Sequence, residues 1–187
     1  MSIIVSDSGK EYQKPSIGMV QGVCRGIWDI GLQKGSWEGK EIVQPKIIIS
    51  WEIDEIMADG EFKGKRFTVN GFYTKSLSPK GRLRPLLESW RGRPFTDEEL
   101  KGFDIETIIG ANCLLNLGEN ASGKVSVLSV NPLMKNTQKM IPELTADMPD
   151  WVKTIKSKAV DKELAHSHEP ERCDVVDANR ENENIPF

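Results

Sequence analysis

The sequence predicts a mainly β fold with five strands, short helices between the third and fourth strands, and a disordered acidic tail. Three observations favour this fold. Runs rich in β-branched and aromatic residues recur through residues 17–130, separated by turn residues. The clearest helical period lies between the third and fourth runs, at Leu83, Leu86, Leu87 and Trp90. From Asp161 onward, eight acids stand against three bases.

The first three strands are predicted from apolar runs. Glycines interrupt residues 17–31, which indicates a long first strand with bulges or bends. Residues 35–40, including Trp37, are expected to form a loop. A β-branched run over residues 46–53 predicts the second strand, and residues 66–74 predict the third. Alternation places Phe67 on one face of the third strand and Phe72 on the other.

The later elements are predicted from period changes and capping residues. A short helix is expected over residues 83–90, with Pro85 in its first turn. Thr96 and Glu99 fit a capping box that begins a small helix ending near Gly102, and residues 104–109 add another turn. Residues 111–117 and 124–130 predict two strands joined by a hairpin loop. A last short helix is expected over residues 149–158.

These elements divide the chain of 187 residues into four parts. Residues 1–16 are expected to be a flexible arm, 17–135 the folded domain, 136–160 a linker with a short helix, and 161–187 the disordered tail. Neither an apolar run of about 18 residues nor a basic-then-apolar N-terminus is present. We therefore expect a soluble, intracellular protein.

Five strands with helical segments between the third and fourth is the element order of the oligonucleotide-binding (OB) fold. This fold is a five-stranded Greek-key barrel that binds oligonucleotides on its strand 2 and 3 face and the adjoining loops. Other small barrels and sandwiches share much of this order. The sequence thus predicts an OB-fold-like domain over residues 17–135.

The net charge of −3 conceals two regions of opposite sign. Residues 161–187 carry −5, so residues 1–160 carry +2. Between Phe62 and Arg93, nine bases stand against the single acid Glu88. Aromatic residues alternate with these bases, and cations along a groove with rings for base stacking are what a binder of single strands requires.

The candidate DNA-binding residues are the cations and rings of this stretch and of the first two strands: Arg25, Trp28, Trp37, Trp51, Lys63, Lys65, Arg66, Phe72, Tyr73, Lys75, Lys80, Arg82, Arg84, Arg91 and Arg93. Each has a structural alternative. The rings are equally suited to a core, individual lysines to a solvated surface, and Arg91 and Arg93 to salt bridges with Asp97 or Glu98. Glu52, Asp54, Glu55 and Asp59 are interpreted as a solvated loop rather than a nuclease metal site.

The chain ends in Glu-Asn-Glu-Asn-Ile-Pro-Phe, an acidic segment that stops on three apolar residues. Pro186 biases Ile185 toward an extended conformation beside the terminal ring. This terminus resembles the tip of bacterial single-stranded DNA-binding proteins, although asparagines interrupt the acids here. The resemblance implies single-stranded DNA as ligand and recruitment of host replication and repair enzymes through Glu181, Glu183, Ile185, Pro186 and Phe187.

A bacteriophage-encoded relative, acting in the host bacterial cytoplasm, explains a divergent domain with a host-like tip. A homodimer is compatible with this function. Two other hypotheses stay open. One is a decoy that binds tip-recognising enzymes without binding DNA, and the other is an RNA- or duplex-binding barrel.

Enzymatic and metal-dependent functions are disfavoured. Residues 118–124 match the start of a phosphate-binding loop, but Val125 stands where Ser or Thr is needed for magnesium. His166, His168 and Cys173 lack a fourth metal ligand. We therefore expect a protein that is not an enzyme and uses no cofactor or metal.

Overall fold

The structure, a computed structural model, describes residues 13–37 and 39–160, with Trp37 described by its backbone alone. The described elements follow the order β1 (Gly18–Trp37), β2 (Lys40–Ile56), β3 (Arg66–Thr74), α1 (Leu83–Arg91), α2 (Asp97–Lys101), a 3-10 helix (Ile105–Ile108), β4 (Asn112–Glu119), β5 (Val125–Pro132) and α3 (Asp150–Lys156). The fold is mainly β, as predicted.

All five strands lie in one antiparallel sheet with the order β3-β2-β1-β4-β5. The outer strands β3 and β5 contact each other, but in the described residues each is hydrogen-bonded to a single neighbouring strand. The five antiparallel strands and the helices between β3 and β4 are therefore confirmed. The hydrogen bonds leave the sheet open, and closure into a barrel stays a prediction.

β1 and β2 are longer than predicted and pair along most of their length. Register shifts between Cys24 and Gly26 and between Asp29 and Leu32 bend β1, as its glycines indicate. The loop predicted over residues 35–40 is wrong. Trp37 pairs with Lys40, so the two strands continue as a ribbon almost to the turn.

The third strand and the helices after it agree closely with prediction. β3 has the predicted bounds, and α1 extends the predicted helix by one residue. The capping box of α2 is present, with the Thr96 hydroxyl accepting from Glu99 N–H and the Glu99 carboxylate accepting from Thr96 N–H. These elements depend on local patterns, which the sequence displays directly.

The main core lies between the inner face of the sheet and α1. Trp51 is fully buried and packs against Trp90 of α1, with ring centroids 5.9 Å apart. Alternate residues of β3 enter this core, and Gly71 is needed there because a Cβ would overlap the Tyr73 ring. The helices between β3 and β4 thus cover the inner face and leave the outer face to other contacts.

A second buried cluster lies on the outer face of the sheet. Trp28, Ile30 and Ile48 pack against Val152 of α3, which is fully buried. Residues 136–160, predicted as a linker, therefore pack on the domain. The packing of this segment on the sheet depends on contacts with strands about 100 residues earlier in the chain. No local sequence pattern reveals such contacts.

Candidate nucleic-acid interface

β3 is an outer strand with a polar outer face. Phe67, Val69, Gly71 and Tyr73 are buried, while the alternate residues point to the other side. Those alternate residues are Arg66, Thr68, Asn70, Phe72 and Thr74. The row therefore combines a guanidinium, hydroxyls, an amide and a ring that is 50% exposed, Phe72. Such a row offers both hydrogen bonds and a stacking surface to an unpaired strand.

The β2–β3 loop extends this row with cations and a second ring. Met57 N–H donates to Lys65 O at 2.9 Å and Gly64 N–H donates to Met57 O at 2.9 Å, which closes the loop. Phe62 is 51% exposed, and Lys65 Nζ lies 5.6 Å from its ring centroid. Lys63 and Lys65 are exposed and have no ion-pair partner among the described residues. The loop thus presents cations beside a ring, as an interface for phosphates and bases requires.

Five of the nine predicted bases form ion pairs. Arg66 Nε lies 3.2 Å from Glu143 Oε1, and Lys75 Nζ lies 2.7 Å from Asp29 Oδ2. The other three pairs are Arg84 with Glu88, Arg91 with Glu99 and Arg93 with Glu99. Arg91 and Arg93 are thus in salt bridges, with Glu99 as the partner rather than Asp97 or Glu98. A count along the sequence overstates the free positive charge, because acids both near in sequence (Glu88, Glu99) and far from it (Asp29, Glu143) neutralise part of it.

The remaining bases, Lys63, Lys65, Lys80 and Arg82, have no ion pair in the described part of the chain. The guanidinium groups of Arg91 and Arg93 both contact Glu99 and stabilise its charged form. Hydrogen bonds from Arg93, Thr96 N–H and Arg91 lower the pKa of Glu99 to about 2. This carboxylate is therefore charged at neutral pH, where it pairs with both Arg91 and Arg93.

Three of the predicted rings are buried. Trp28 is 4% exposed, Trp51 is fully buried, and Tyr73 is 3% exposed, so these side chains belong to the packed clusters. Burial raises the pKa of Tyr73 to about 12. Bases stack only on rings that they can reach, so the candidate surface retains Phe72 and loses these three. The side chain of Trp37 lies outside the described residues.

Two exposed rings were missed by the sequence analysis. The exposure of Phe62 could be predicted from its position between Gly60 and Gly64, because a large ring in a short glycine-bounded loop has little core to enter. Trp151 is 42% exposed and meets Trp28 edge-on, with centroids 6.3 Å apart. Its neighbour Val152 takes the buried position of α3.

Arg25 occupies a bulge of β1 on the outer face. Its guanidinium carbon lies 5.3 Å from the Trp28 ring centroid, and Nη2 donates to Thr145 O at 3.5 Å. Burial lowers the pKa of Arg25, and the Glu52 carboxylate opposes that change. Arg25 Nε is buried without a hydrogen-bond partner in the structure. Arg25 thus lies on the outer face of the sheet and is partly covered there by the segment that contains Thr145.

The covering segment, residues 138–148, is here called the strap. Arg66 Nη1 donates to Ile141 O at 2.9 Å, and Trp28 Nε1 donates to Ala146 O at 2.9 Å. Between these points Glu143 N–H and Leu144 N–H donate to the Glu52 carboxylate at 2.8 and 2.7 Å. The strap therefore crosses the outer face of β1, β2 and β3 in irregular conformation.

Glu52 is the central anchor of the strap. Its side chain is fully buried, so its interpretation as part of a solvated loop is wrong. Two backbone N–H groups and Arg66, whose Nη1 lies 3.8 Å from Oε2, compensate its charge. A buried carboxylate requires such partners. Glu52 is thus a structural group that joins β2 to a segment 91 residues later.

The tip residues Glu181, Glu183, Ile185, Pro186 and Phe187 lie outside the described residues, as do His166, His168 and Cys173. Within residues 13–37 and 39–160, the acids, cysteines and histidines form no cluster of three that could hold a metal ion. The same residues contain no helix with both the length and the apolar character to cross a lipid bilayer.

Comparison with known proteins adds no relative. The sequence matches no protein-family model, and no curated protein is significantly similar to it. The features of the chain that bear on function are therefore the sheet order, the exposed groups of β3 and its loop, and the sequence of the terminus.

Proposed function

We propose that this protein binds single-stranded DNA without being an enzyme, coats exposed strands during replication, recombination or repair, and recruits partner enzymes through its C-terminal tip. One observation supports this most directly. The β2–β3 loop exposes Phe62, Lys63 and Lys65, and the outer face of β3 exposes Phe72, in the region that OB folds use for oligonucleotides. The strand order and the helices between β3 and β4 are compatible with an OB barrel closed between β3 and β5.

Affinity in this proposal has two sources. Lysines of the loop neutralise phosphates, and the exposed rings stack on bases. Stacking is tolerant of sequence because every base has an aromatic face, so sequence preference is slight. The tip acts separately, offering Ile185 and Phe187 to an apolar pocket with a cationic rim in a host enzyme. A phage-encoded protein with these two parts coats DNA and attracts the host's enzymes to it.

The test is a titration of fluorescently labelled oligo-dT by anisotropy over a series of salt concentrations. We expect the logarithm of affinity to fall linearly with the logarithm of salt, with a slope near −0.7 per phosphate contacted. Lys65→Gln should reduce the magnitude of that slope by about 0.7 if Lys65 contacts one phosphate. Lys101→Gln is the matched control, because Lys101 lines a cavity with Ile47 and Lys75 near the opposite end of β3.

Competition by unlabelled RNA and duplex DNA completes the test. Equal competition by duplex would contradict stacking, since bases in a duplex do not expose their faces. Preference for RNA would favour the RNA-binding alternative.

The decoy function is the second candidate, and the internal ion pairs favour it. Five of the nine basic residues of the stretch are neutralised by the protein's own acids, which lowers the charge available for DNA. A protein that retains a tip-binding enzyme in a pulldown but fails to bind oligo-dT at low salt would be a decoy. If deletion of Phe187 abolished both enzyme retention and oligo-dT binding, the tip would take part in both activities.

A further inference from the structure

We propose that the outer face of β1 and β2 beneath the strap is a second part of the single-strand binding site, exposed when the middle of the strap, residues 141–147, is displaced by the polynucleotide. This inference rests on the proposed function and extends it. The ligand is the same, a single strand with phosphates and unpaired bases. The strap is then an internal competitor for the groups that bind it.

The strap uses the side chains that a polynucleotide would use. Arg66, Arg25 and Trp28 donate to the carbonyl oxygens of Ile141, Thr145 and Ala146. The carboxylate of Glu143 also lies beside the Arg66 guanidinium. Two guanidinium groups and an indole N–H are thus occupied by backbone oxygens and one carboxylate. Phosphate and base oxygens are acceptors of the same kind, with more charge.

The strap leaves polar groups beneath it unsatisfied. Ser50 is 1% exposed, and its Oγ has no hydrogen-bond partner in the structure. It pairs with Gly26 on β1 and with Asn70 on β3, whose Oδ1 is also buried and unpartnered. Gly26 lies under the strap, because a Cβ there would be 3.4 Å from Ala146 O. An unpaired buried polar group is costly, so the covered face retains unused hydrogen-bonding capacity.

The middle of the strap can be displaced without exposing the core. Before it, the Met140 backbone forms two hydrogen bonds with the Asn112 side chain, and after it Val152 is fully buried, so both ends are held in place. Between them Ile141 is 79% exposed and adds little burial, whereas Leu144 is 38% exposed and lines the cleft beside Arg66. The described contacts that hold residues 141–147 to the sheet are polar. A polynucleotide can replace these contacts, because base N–H groups can donate to the Glu52 carboxylate and phosphate oxygens can accept from Arg25 and Arg66.

A cleft connects this face with the exposed interface. It has a volume of about 300 Å³ and is lined by Glu52, Lys65, Arg66, Glu143 and Leu144. Lys65 belongs to the β2–β3 loop, and Glu143 belongs to the strap. A strand bound along the loop therefore reaches the edge of the strap at the Glu143–Arg66 ion pair, the first contact that it has to break.

Two variants of the strap separate displacement from a simple change of charge. Glu143→Gln removes the carboxylate that pairs with Arg66, whereas Asp147→Asn removes an exposed charge of the same segment that forms no described ion pair. Neither side chain is buried, so both variants should fold. We expect Glu143→Gln to raise affinity for oligo-dT roughly twofold to fivefold above Asp147→Asn, the range of a partly exposed ion pair. Equal affinities would overturn the inference.

Hydrogen exchange gives a readout that charge alone does not change. The Glu143 and Leu144 amides donate to buried Glu52, so they are protected in the free protein. Saturation with oligo-dT should accelerate their exchange by about tenfold or more, which corresponds to loss of roughly 1.4 kcal/mol of protection. Tight binding with unchanged or stronger protection would overturn the inference and leave the proposed function intact. Failure to bind oligo-dT at low salt would overturn both.

Discussion

Phe72 is the one predicted DNA-binding ring that is exposed among the described residues. Its ring is 50% exposed, and it pairs with Ile48 across β2. Its neighbour Tyr73 points into the core and is 3% exposed. Two consecutive aromatic residues on one strand therefore have opposite roles, because side chains alternate between the faces.

Phe72→Ala should weaken binding to oligo-dT by about 1–3 kcal/mol, or roughly fivefold to 150-fold, because it removes a stacking surface. Stability should change little, since the ring is half exposed. Anisotropy titration measures the first effect and urea denaturation the second. Leu128→Ala is the control, because Leu128 is 60% exposed on the other outer strand. Equal losses for both variants would show that Phe72 is not a stacking group.

Cys24 and Cys113 contribute to the core as small apolar groups. Both are fully buried, and both thiols are free. Burial raises the pKa of Cys24 to about 12 and raises the pKa of Cys113 as well.

Alkaline pH should therefore destabilise the protein. Unfolded thiols lose their protons above about pH 9, whereas the native thiols keep theirs, so the unfolded state binds fewer protons. The free energy of unfolding should fall between pH 9 and 12, by up to about 1.4 kcal/mol per pH unit for each thiol. Urea denaturation at pH 8, 9 and 10 measures this slope. Cys24→Ala should show a shallower slope, and an unchanged slope would contradict the burial of this thiol.

At the scale of elements, α3 determines whether the segment after β5 belongs to the domain. Val152 is fully buried against Trp28, Ile30 and Ile48, and the Trp28 indole donates to the strap. The strap and α3 therefore cover the outer face of β1 and β2 together. A flexible linker would have no such contacts.

Val152→Ala should lower the free energy of unfolding by about 1–3 kcal/mol, through lost burial and the cavity that remains. Lys153→Ala is the matched control on the same helix, because Lys153 is exposed, and its effect should stay within about 0.5 kcal/mol. Both are measured by urea denaturation followed by tryptophan fluorescence. If the two variants had equal stability, α3 would not be integral to the domain.

The elements that could be predicted are those with local signals. Alternation fixed the bounds of β3, helical spacing identified α1, and the Thr96–Glu99 pair identified the capping box of α2. The strap has no period, and its anchor is a contact between Glu52 and backbone 91 residues away. Long-range contacts of this kind determine which predicted site residues are covered, and one sequence does not reveal them.

At the scale of the whole molecule, charge is distributed between two regions of opposite sign. Residues 161–187 carry −5 and the preceding residues carry +2. Among the described residues, the unpaired positive charge near the candidate interface lies in the β2–β3 loop, at Lys63 and Lys65. An acidic segment attached to the same chain has an effective concentration on the order of millimolar at that interface. We therefore expect this segment to compete with DNA for the same cations.

Deleting residues 161–187 should raise affinity for oligo-dT at low salt, because it removes this competitor and changes the net charge from −3 to +2. The increase should shrink as salt rises, since the Debye length falls from about 30 Å at 0.01 M to about 10 Å at 0.1 M. A variant that lacks only Phe187 is the control, because it keeps every acidic side chain of the tail. It should bind oligo-dT like the intact protein and fail to retain a tip-binding enzyme in a pulldown. Unchanged affinity after the full deletion at low salt would contradict the competition. DNA binding through Phe72 and the loop lysines is tested separately, by titration of the intact protein with labelled oligo-dT.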